Sequence, residues 1–202
     1  MKKNAGARDH AHREYAARRE MTLEERLAEE RILFLWGEIS PPSAGGLIMR
    51  LLELQANGPG RDINLYINSP GGSVDDTLAI YDTIQFLGCD VATFCVGQAA
   101  SGAAMILASG TNGKRYALPH SKIMIHQPWG GVTGQASDIK IQAEEILKAK
   151  RLLNELLAKH TSRTVEQIED ETERDRYLTP EEAKDYGIVD EIVASQPAPE
   201  KK

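Results

Sequence analysis

Three side chains that could form a nucleophilic catalytic group lie far apart in the chain. Ser101 lies within the run GQAASGAA at residues 97–104, whose small side chains leave its hydroxyl accessible. His126 and Asp175 follow downstream. A serine hydroxyl becomes an effective nucleophile when an imidazole accepts its proton and an acid fixes the imidazole's tautomer. The trio therefore indicates a hydrolase triad, although a serine before Gly-Ala-Ala can also simply begin a tightly packed helix.

Several glycines could bring backbone amides close to a reacting carbonyl. The Pro70-Gly71-Gly72 segment allows close approach of a ligand because glycine has no side chain to block it. Gly102, directly after Ser101, could offer a second amide. Two such donors would stabilise a developing oxyanion, but Pro-Gly-Gly is also common in plain turns.

The acid of the trio cannot be chosen from spacing. Asp175 lies in the run ETERDR at residues 171–176, where Glu171 and Glu173 are alternatives. A run of charges of this kind is typical of a solvated surface. Neither His126 nor any of the other histidines has metal-ligand spacing with the cysteines, so we predict no metal site.

Composition restricts the class of protein. The 202 residues are 41% hydrophobic and 5% aromatic, which suits one domain with an aliphatic core. The net charge of −6 argues against nucleic-acid binding. Two cysteines, Cys89 and Cys95, are too few for a disulfide framework, which favours a reducing compartment. Because no apolar run suits a membrane span or a secretory signal, we expect a cytoplasmic protein without a membrane partner.

The chain divides into an arm, a folded body and a tail. Residues 1–20 are polar and charged and predict a flexible arm, propeptide or axial segment; residues 21–194 predict the domain; and residues 195–202 predict a disordered tail. Within the body, apolar strands alternate with helices, which indicates an α/β fold. Predicted strands end just before Gly72, Ser101 and His126, where an α/β sheet collects its chemistry.

A long amphipathic helix is predicted from Ser137 to about His160. Apolar residues recur at three- and four-residue spacing along it. It exceeds what a small domain needs, so it favours packing against another subunit, although a core helix fits the same pattern.

Five segments resemble motifs of one family, in the family's order. They are residues 30–35 (ERILFL), 66–72 (YINSPGG), 97–101 (GQAAS), 126–128 (HQP) and 172–176 (TERDR). Each motif is weak singly, but five in order are hard to obtain by chance. The chain therefore resembles the ClpP family, the serine endopeptidases that form the proteolytic subunit of the ATP-dependent Clp protease.

The resemblance implies roles for the candidate residues. It implies Ser101 as nucleophile, His126 as general base and acid, and Asp175 as the acid that orients the imidazole. It also implies that Gly72 and Gly102 form the oxyanion hole, and that Gly71, Gly131, Val132 and Thr133 border the peptide cleft. The implied architecture is the ClpP/crotonase-like fold of repeated β-α units, with the long helix as a protruding handle.

The resemblance further implies an assembly and partners. Two heptameric rings would stack into a closed chamber that degrades unfolded proteins, fed by a hexameric AAA+ ATPase that consumes the ATP; this chain itself would need no cofactor. Family positions that dock the ATPase correspond to Tyr66, Phe86 and Tyr116, although these could be ordinary core aromatics. Ring-to-ring contact would involve Gln135, Glu173 and Arg174.

Two departures from the family pattern leave alternatives open. Gly102 stands where the family usually has a larger residue, often methionine, and the arm lacks the pattern of the family's axial loop. A dormant ClpP-like subunit that acts in a mixed complex with an active paralogue is therefore an alternative. An acyl-CoA enzyme of the crotonase type is another, because it shares the two-amide oxyanion hole but does not need the triad.

Overall fold

The sheet positions all of the candidate site. The computed structural model describes residues 21–128 and 133–195. Its strands are β1 (Ile32–Trp36), β2 (Ile63–Ser69), β3 (Val91–Ala100), β4 (Arg115–Ala117), β5 (Lys122–Ile125), β6 (Arg176–Leu178) and β7 (Glu191–Ile192). Its helices are α1 (Leu23–Glu29), α2 (Pro41–Asn57), α3 (Val74–Phe86), α4 (Gly102–Ala108), α5 (Ala136–His160), α6 (Val165–Glu171) and α7 (Pro180–Tyr186).

The strands form one sheet, with β3 at its centre. The order is β1-β2-β3-β4-β7, and β5 also pairs with β3. All of these pairs are parallel, whereas β6 pairs antiparallel with β5. The first half of β3 pairs with β4 and its last residues pair with β5. Strands β2, β3 and β5 therefore end near one another, and the α/β fold class is confirmed.

Local sequence signals mark the bounds of helices α1, α5 and α7. Thr22 forms a capping box with Glu25 at the start of α1, and Thr179 forms one with Glu182 at the start of α7. Gly187 ends α7 in the left-handed conformation, with φ of 91°, which glycine adopts at little cost. Helix α5 begins at Ala136 and ends at His160, as the amphipathic pattern predicts.

Strand β3 is longer than the apolar pattern indicates. The sequence predicts a strand from Val91 to Val96, but the strand continues to Ala100. The extra residues are Gly97, Gln98 and two alanines, which do not continue the run of large apolar side chains, yet the last three of them pair with β5. Short strands β4, β6 and β7 and helix α6 escape prediction because a few residues show no period.

The core lies on the helical side of the sheet. Leu33, Leu35, Ile63, Leu65 and Ile67 from the first two strands are at most 1% exposed and pack with apolar residues of α2, α3 and α4. Burial of these branched aliphatic side chains contributes the largest favourable term to folding. The predicted aliphatic interior is therefore present, and it fixes the strand ends that bear the candidate site.

The buried arginine Arg115 joins β4 to the end of α5 and to the segment before β7. Arg115 of β4 is 6% exposed and donates from Nη2 to Asp190 at 2.6 Å and from Nη1 to the carbonyl of His160 at 2.6 Å. Burial alone would raise the pKa of the Asp190 carboxyl, but the hydrogen bonds from Arg115 outweigh it and hold that pKa below its usual value. The end of α5 and the C-terminal strand are thus tied to the sheet.

Candidate active site

Ser101 lies on a tight turn between β3 and α4. Its φ of 56° and ψ of −124° are unusual for a residue with a side chain. Its backbone amide donates to the carbonyl of Met124 at 2.8 Å, which ties the turn to β5. Such a turn presents the side chain above the end of the sheet, as nucleophile-bearing elbows do.

An uninterrupted hydrogen-bond chain links the three predicted triad residues. The Ser101 Oγ lies 2.8 Å from His126 Nε2, and His126 Nδ1 lies 3.1 Å from Asp175 Oδ1. In the tautomer with a protonated Nδ1, the ring donates to Asp175 and accepts from the serine hydroxyl. The His126 side chain is 16% exposed and the Asp175 side chain is 57% exposed. The structure thus brings together three residues, the outer two of which lie 74 positions apart in the sequence.

Strand pairing brings the acid to the histidine. Strand β6 runs antiparallel to β5, with Arg176 opposite Ile125. Asp175 immediately precedes β6 and His126 immediately follows β5, so the two side chains meet across the end of the pair. Neither neighbouring acid reaches His126: Glu171 binds Arg176 at 2.8 Å and Glu173 accepts from Gln127.

Gln127 is a positioning residue that the sequence analysis did not single out. Its backbone amide donates to the carbonyl of Thr172 at 2.8 Å. Its side-chain Nε2 donates to the carbonyl of Glu173 at 3.2 Å and to a carboxylate oxygen of Glu173 at 3.1 Å. The loops that bear His126 and Asp175 are thereby fastened together. The His-Gln-Pro motif could have drawn attention to Gln127 in the sequence, but only the fold shows which groups its side chain contacts.

The Pro70-Gly71-Gly72 loop lies directly against the nucleophile. A Cβ on Gly71 would lie 2.6 Å from the carbonyl oxygen of Ala100 and 2.8 Å from the Cβ of Ser101. With φ of 88° as well, Gly71 cannot be replaced by a residue with a side chain without strain. The carbonyl of Gly71 accepts from the amide of Ile39 at 2.8 Å, which fixes the loop.

The two amides predicted for the oxyanion hole are free. No hydrogen bond of the described residues uses the backbone N–H of Gly72 or of Gly102. Gly102 also packs against Thr77 of α3: a Cβ there would overlap the Thr77 hydroxyl and lie 3.1 Å from its methyl group. The Thr77 side chain therefore fills the space that a side chain at position 102 would occupy.

A pocket of about 460 Å³ adjoins Ser101 and His126. Its apolar wall comes from Met105, Ile125, Leu153 and Leu157, and Gly71, Gly72 and Thr77 also line it. The last turns of α5 thus border the site, although its first turns lie beyond it. A pocket beside a nucleophile can hold one side chain of a bound peptide.

The other predicted cleft and ring-contact residues are only partly described. Gly131 and Val132 lie outside the described residues, and Thr133 and Gln135 are exposed just before α5. Glu173 is exposed and lies within 3.8 Å of Lys150 Nζ, whereas exposed Arg174 makes no ion pair with another described residue. Their roles stay predictions.

Two of the predicted docking residues, Tyr66 and Tyr116, belong to a row of aromatic rings in which Phe34 is exposed and the other three are half-buried. Phe34, Tyr66, Phe94 and Tyr116 follow one another across β1 to β4, with ring centroids 5.8, 4.7 and 4.8 Å apart. The sequence analysis missed Phe94, which links Tyr66 to Tyr116. Phe86 stands apart at the end of α3 and is 81% exposed, so for this residue the core alternative is wrong.

Within the described ranges, 21–128 and 133–195, no helix has the length and apolar character that crossing a bilayer requires.

Comparison with known proteins identifies the family of the chain. The family model described as Clp protease matches residues 15–196. The ATP-dependent Clp protease proteolytic subunit 1 of Rhodopirellula baltica (strain DSM 10527 / NCIMB 13988 / SH1) is 51% identical over 190 residues, which cover 94% of this chain and 84% of that protein. The resemblance predicted from five motifs is thereby confirmed. The chain is a serine peptidase that belongs to the Clp protease family.

Proposed function

We propose that the chain hydrolyses peptide bonds through Ser101, His126 and Asp175. The observation that carries this assignment is the uninterrupted hydrogen-bond chain from Ser101 Oγ through the imidazole to Asp175. Its geometry already allows proton transfer, since both contacts lie within about 2.6–3.2 Å. Such an aligned triad supports an active subunit and offers nothing in favour of the dormant alternative.

The reaction follows from the positions of these atoms. As Ser101 Oγ attacks the peptide carbonyl, its proton passes to His126 Nε2, and Asp175 stabilises the imidazolium that forms. The carbonyl oxygen, now negative, accepts hydrogen bonds from the free amides of Gly72 and Gly102. His126 then protonates the departing amine. A water, activated by the same imidazole, attacks the acyl-enzyme and restores the serine hydroxyl.

The substrates proposed here are unfolded proteins, cut to short peptides. An extended segment can bind beside Gly71 and Thr133 through backbone hydrogen bonds, which tolerate many side chains. Broad cleavage of this kind needs restricted access, and we propose a closed chamber of two stacked heptameric rings. Exposed Ile139, Ile141 and Leu147 on α5 support contact of this helix with other subunits.

A hexameric AAA+ ATPase is the proposed partner, and it alone would consume ATP. The relative from Rhodopirellula baltica bears the name of an ATP-dependent protease subunit. The aromatic row through Tyr66 and Tyr116, together with exposed Phe86, supports a docking surface for that partner. Triad chemistry requires no cofactor on this chain.

A cytoplasmic location is proposed as well, supported by the free thiols Cys89 and Cys95.

Covalent labelling tests the catalytic assignment. The assembled protein is treated with a fluorophosphonate probe and with a fluorogenic peptide, beside Ser101→Ala, and mass spectrometry locates the adduct. We expect an adduct at Ser101 and peptide cleavage, with both absent in the variant. If an assembled particle neither reacts with the probe nor cleaves the peptide, the dormant-subunit alternative replaces this proposal. Acyl-CoA turnover that survives Ser101→Ala would favour the crotonase type of enzyme.

A further inference from the structure

Asp175 is the least enclosed residue of the triad. Its side chain is 57% exposed, whereas that of His126 is 16% exposed. The contact with His126 Nδ1, at 3.1 Å, is the one hydrogen bond that the described residues give its carboxylate. A carboxylate that is open to water and held by a single contact keeps its rotational freedom unless its backbone is fixed. The groups on either side of Asp175 in the chain therefore determine how well it faces the imidazole.

An ion pair closes the loop that bears Asp175. Glu171 is the last residue of α6 and Arg176 is the first residue of β6, so the two lie on opposite sides of Asp175. Arg176 Nη1 lies 2.8 Å from Glu171 Oε1. The Glu171 side chain is only 23% exposed, so water and salt screen this pair less than a fully exposed one. The pair therefore holds the two ends of the loop, residues 171 and 176, together.

The ring of Tyr186 gives the arginine of this pair a fixed support. Tyr186 ends α7 and is 1% exposed, so the core holds its ring in place. The Arg176 guanidinium lies 5.4 Å from the ring centroid, and the Arg163 guanidinium lies 4.9 Å from it. A guanidinium over a tyrosine ring is attracted by the negative face of the ring, more strongly where water is excluded. Arg176 is thereby held by a carboxylate and by a buried aromatic ring.

We propose that a clamp of three residues positions the carboxylate of Asp175 against His126. The clamp consists of Glu171, Arg176 and Tyr186. Among the described residues, none of the three bonds to His126 or lines the pocket beside the nucleophile, so they are positioning residues. They act through the backbone of Asp175, by limiting the conformations of the loop from residue 171 to residue 176. This inference rests on the proposed function, since it presumes that Asp175 serves the triad.

Two substitutions that change the charge in opposite senses test the clamp. Arg176→Met removes a positive charge and Glu171→Gln removes a negative one, so a direct electrostatic effect on the triad would change the rate in opposite directions. Because both variants open the clamp, both should lower kcat for a fluorogenic peptide about 10- to 100-fold, the effect of a misplaced group, with KM unchanged. Arg151→Met breaks an exposed pair with Glu155 on α5 and, as the matched control, should keep the wild-type kcat.

Combination with Asp175→Asn separates positioning from a purely structural role. In the wild-type chain, Arg176→Met should slow fluorophosphonate labelling at Ser101 about as much as it lowers kcat. In the Asp175→Asn chain there is no carboxylate to position, so the same substitution should change the labelling rate by less than about twofold. Equal slowing in both chains, in fully assembled particles, would overturn the clamp. Wild-type kcat in both Arg176→Met and Glu171→Gln would overturn it as well.

A conservative and a disruptive variant test the ring of Tyr186. Tyr186→Phe keeps the ring beside Arg176 and should keep kcat within about twofold of the wild type, whereas Tyr186→Leu removes the ring and should lower kcat about tenfold. This pair of variants carries the test if Arg176→Met does not assemble. Equal kcat values for Tyr186→Phe and Tyr186→Leu would contradict the clamp. Absence of labelling at Ser101 in the wild type would instead overturn the proposed function itself.

Discussion

At the scale of single residues, the site depends on where side chains are absent as much as on where they are present. Gly71 faces the carbonyl of Ala100 and the Cβ of Ser101 at distances that leave no room for a methyl group. Gly102 faces Thr77 in the same way. Both glycines let the backbone lie close to the nucleophile. The Thr77 side chain fills the space that a larger residue at position 102 would need, so the departure from the family pattern at Gly102 is compensated within this chain.

The match between Gly102 and Thr77 gives a coupled prediction. Gly102→Ala should lower the free energy of unfolding by about 1–3 kcal/mol, because the new methyl overlaps the Thr77 side chain. Thr77→Ala in the same chain removes the hydroxyl and the methyl that it would meet, so the double variant should recover more than half of that loss. Chemical denaturation of the single and double variants measures the coupling. Purely additive effects would contradict the contact.

Sequence patterns could not identify the acid that bonds to His126. Glu171, Glu173 and Asp175 occur within five residues, and spacing treats them alike. In the fold, burial alone would raise the pKa of Glu171, but the nearby Tyr186 hydroxyl and the Arg176 guanidinium, 2.8 Å away, outweigh it and lower that pKa. Glu173 is held by Gln127. Only Asp175 remains at His126, as the family resemblance implied.

At the scale of elements, the apolar strands and several helix caps were predictable because they depend on local chemistry. The apolar runs of β1, β2 and β5 and the capping boxes of α1 and α7 are local signals. The pairing of β6 with β5 and the approach of α3 to Gly102 depend on tertiary contacts between distant segments, which have no local pattern.

His160, at the end of α5, makes folding stability depend on pH. Burial, together with nearby Lys159 and Arg115, lowers the pKa of the ring to about 4. Its Nε2 lies 2.8 Å from the Tyr81 hydroxyl. Because the unfolded chain binds the proton near pH 6.5, stability should fall as pH decreases from about 6.5 to about 4, by less than about 1.4 kcal/mol per pH unit for this half-buried ring.

Substitution of His160 tests this dependence. His160→Gln cannot titrate but keeps a group able to bond Tyr81, so its stability should change less between pH 6.5 and 4 than that of the wild type. Denaturant midpoints across this range measure the difference. His120→Gln, at an exposed turn position, is the matched control and should keep the wild-type slope. Equal slopes for wild type and His160→Gln would contradict the assignment.

At the scale of the whole molecule, the exposed apolar residues lie on surfaces that the single chain does not cover. Ile141 is 59% exposed and Leu147 is 64% exposed on α5, and Trp36 is 59% exposed beside the aromatic row. One chain buries its core on the helical side of the sheet and leaves these side chains in water. Their exposure is consistent with a subunit that completes its packing in an assembly.

Charge placed on α5 should therefore disrupt assembly. Ile141→Glu with Leu147→Glu puts carboxylates into the proposed contact between rings, where burying them without partners is costly. We expect the particle mass by analytical ultracentrifugation to fall to half or less, with loss of peptide cleavage. Ile141→Val with Leu147→Met keeps the surface apolar and should keep the full mass. A charged variant that retains the wild-type mass would exclude this helix from the interface.

The pairing of β6 with β5 has a consequence for the order in which the protein is made. Ser101 and His126 leave the ribosome well before Asp175, and the strand β7 that closes the sheet beside β4 comes later still. During synthesis, therefore, the nascent chain has its nucleophile and base without the acid that orients them. We therefore expect the triad to form only after β6 has been synthesised and has paired with β5.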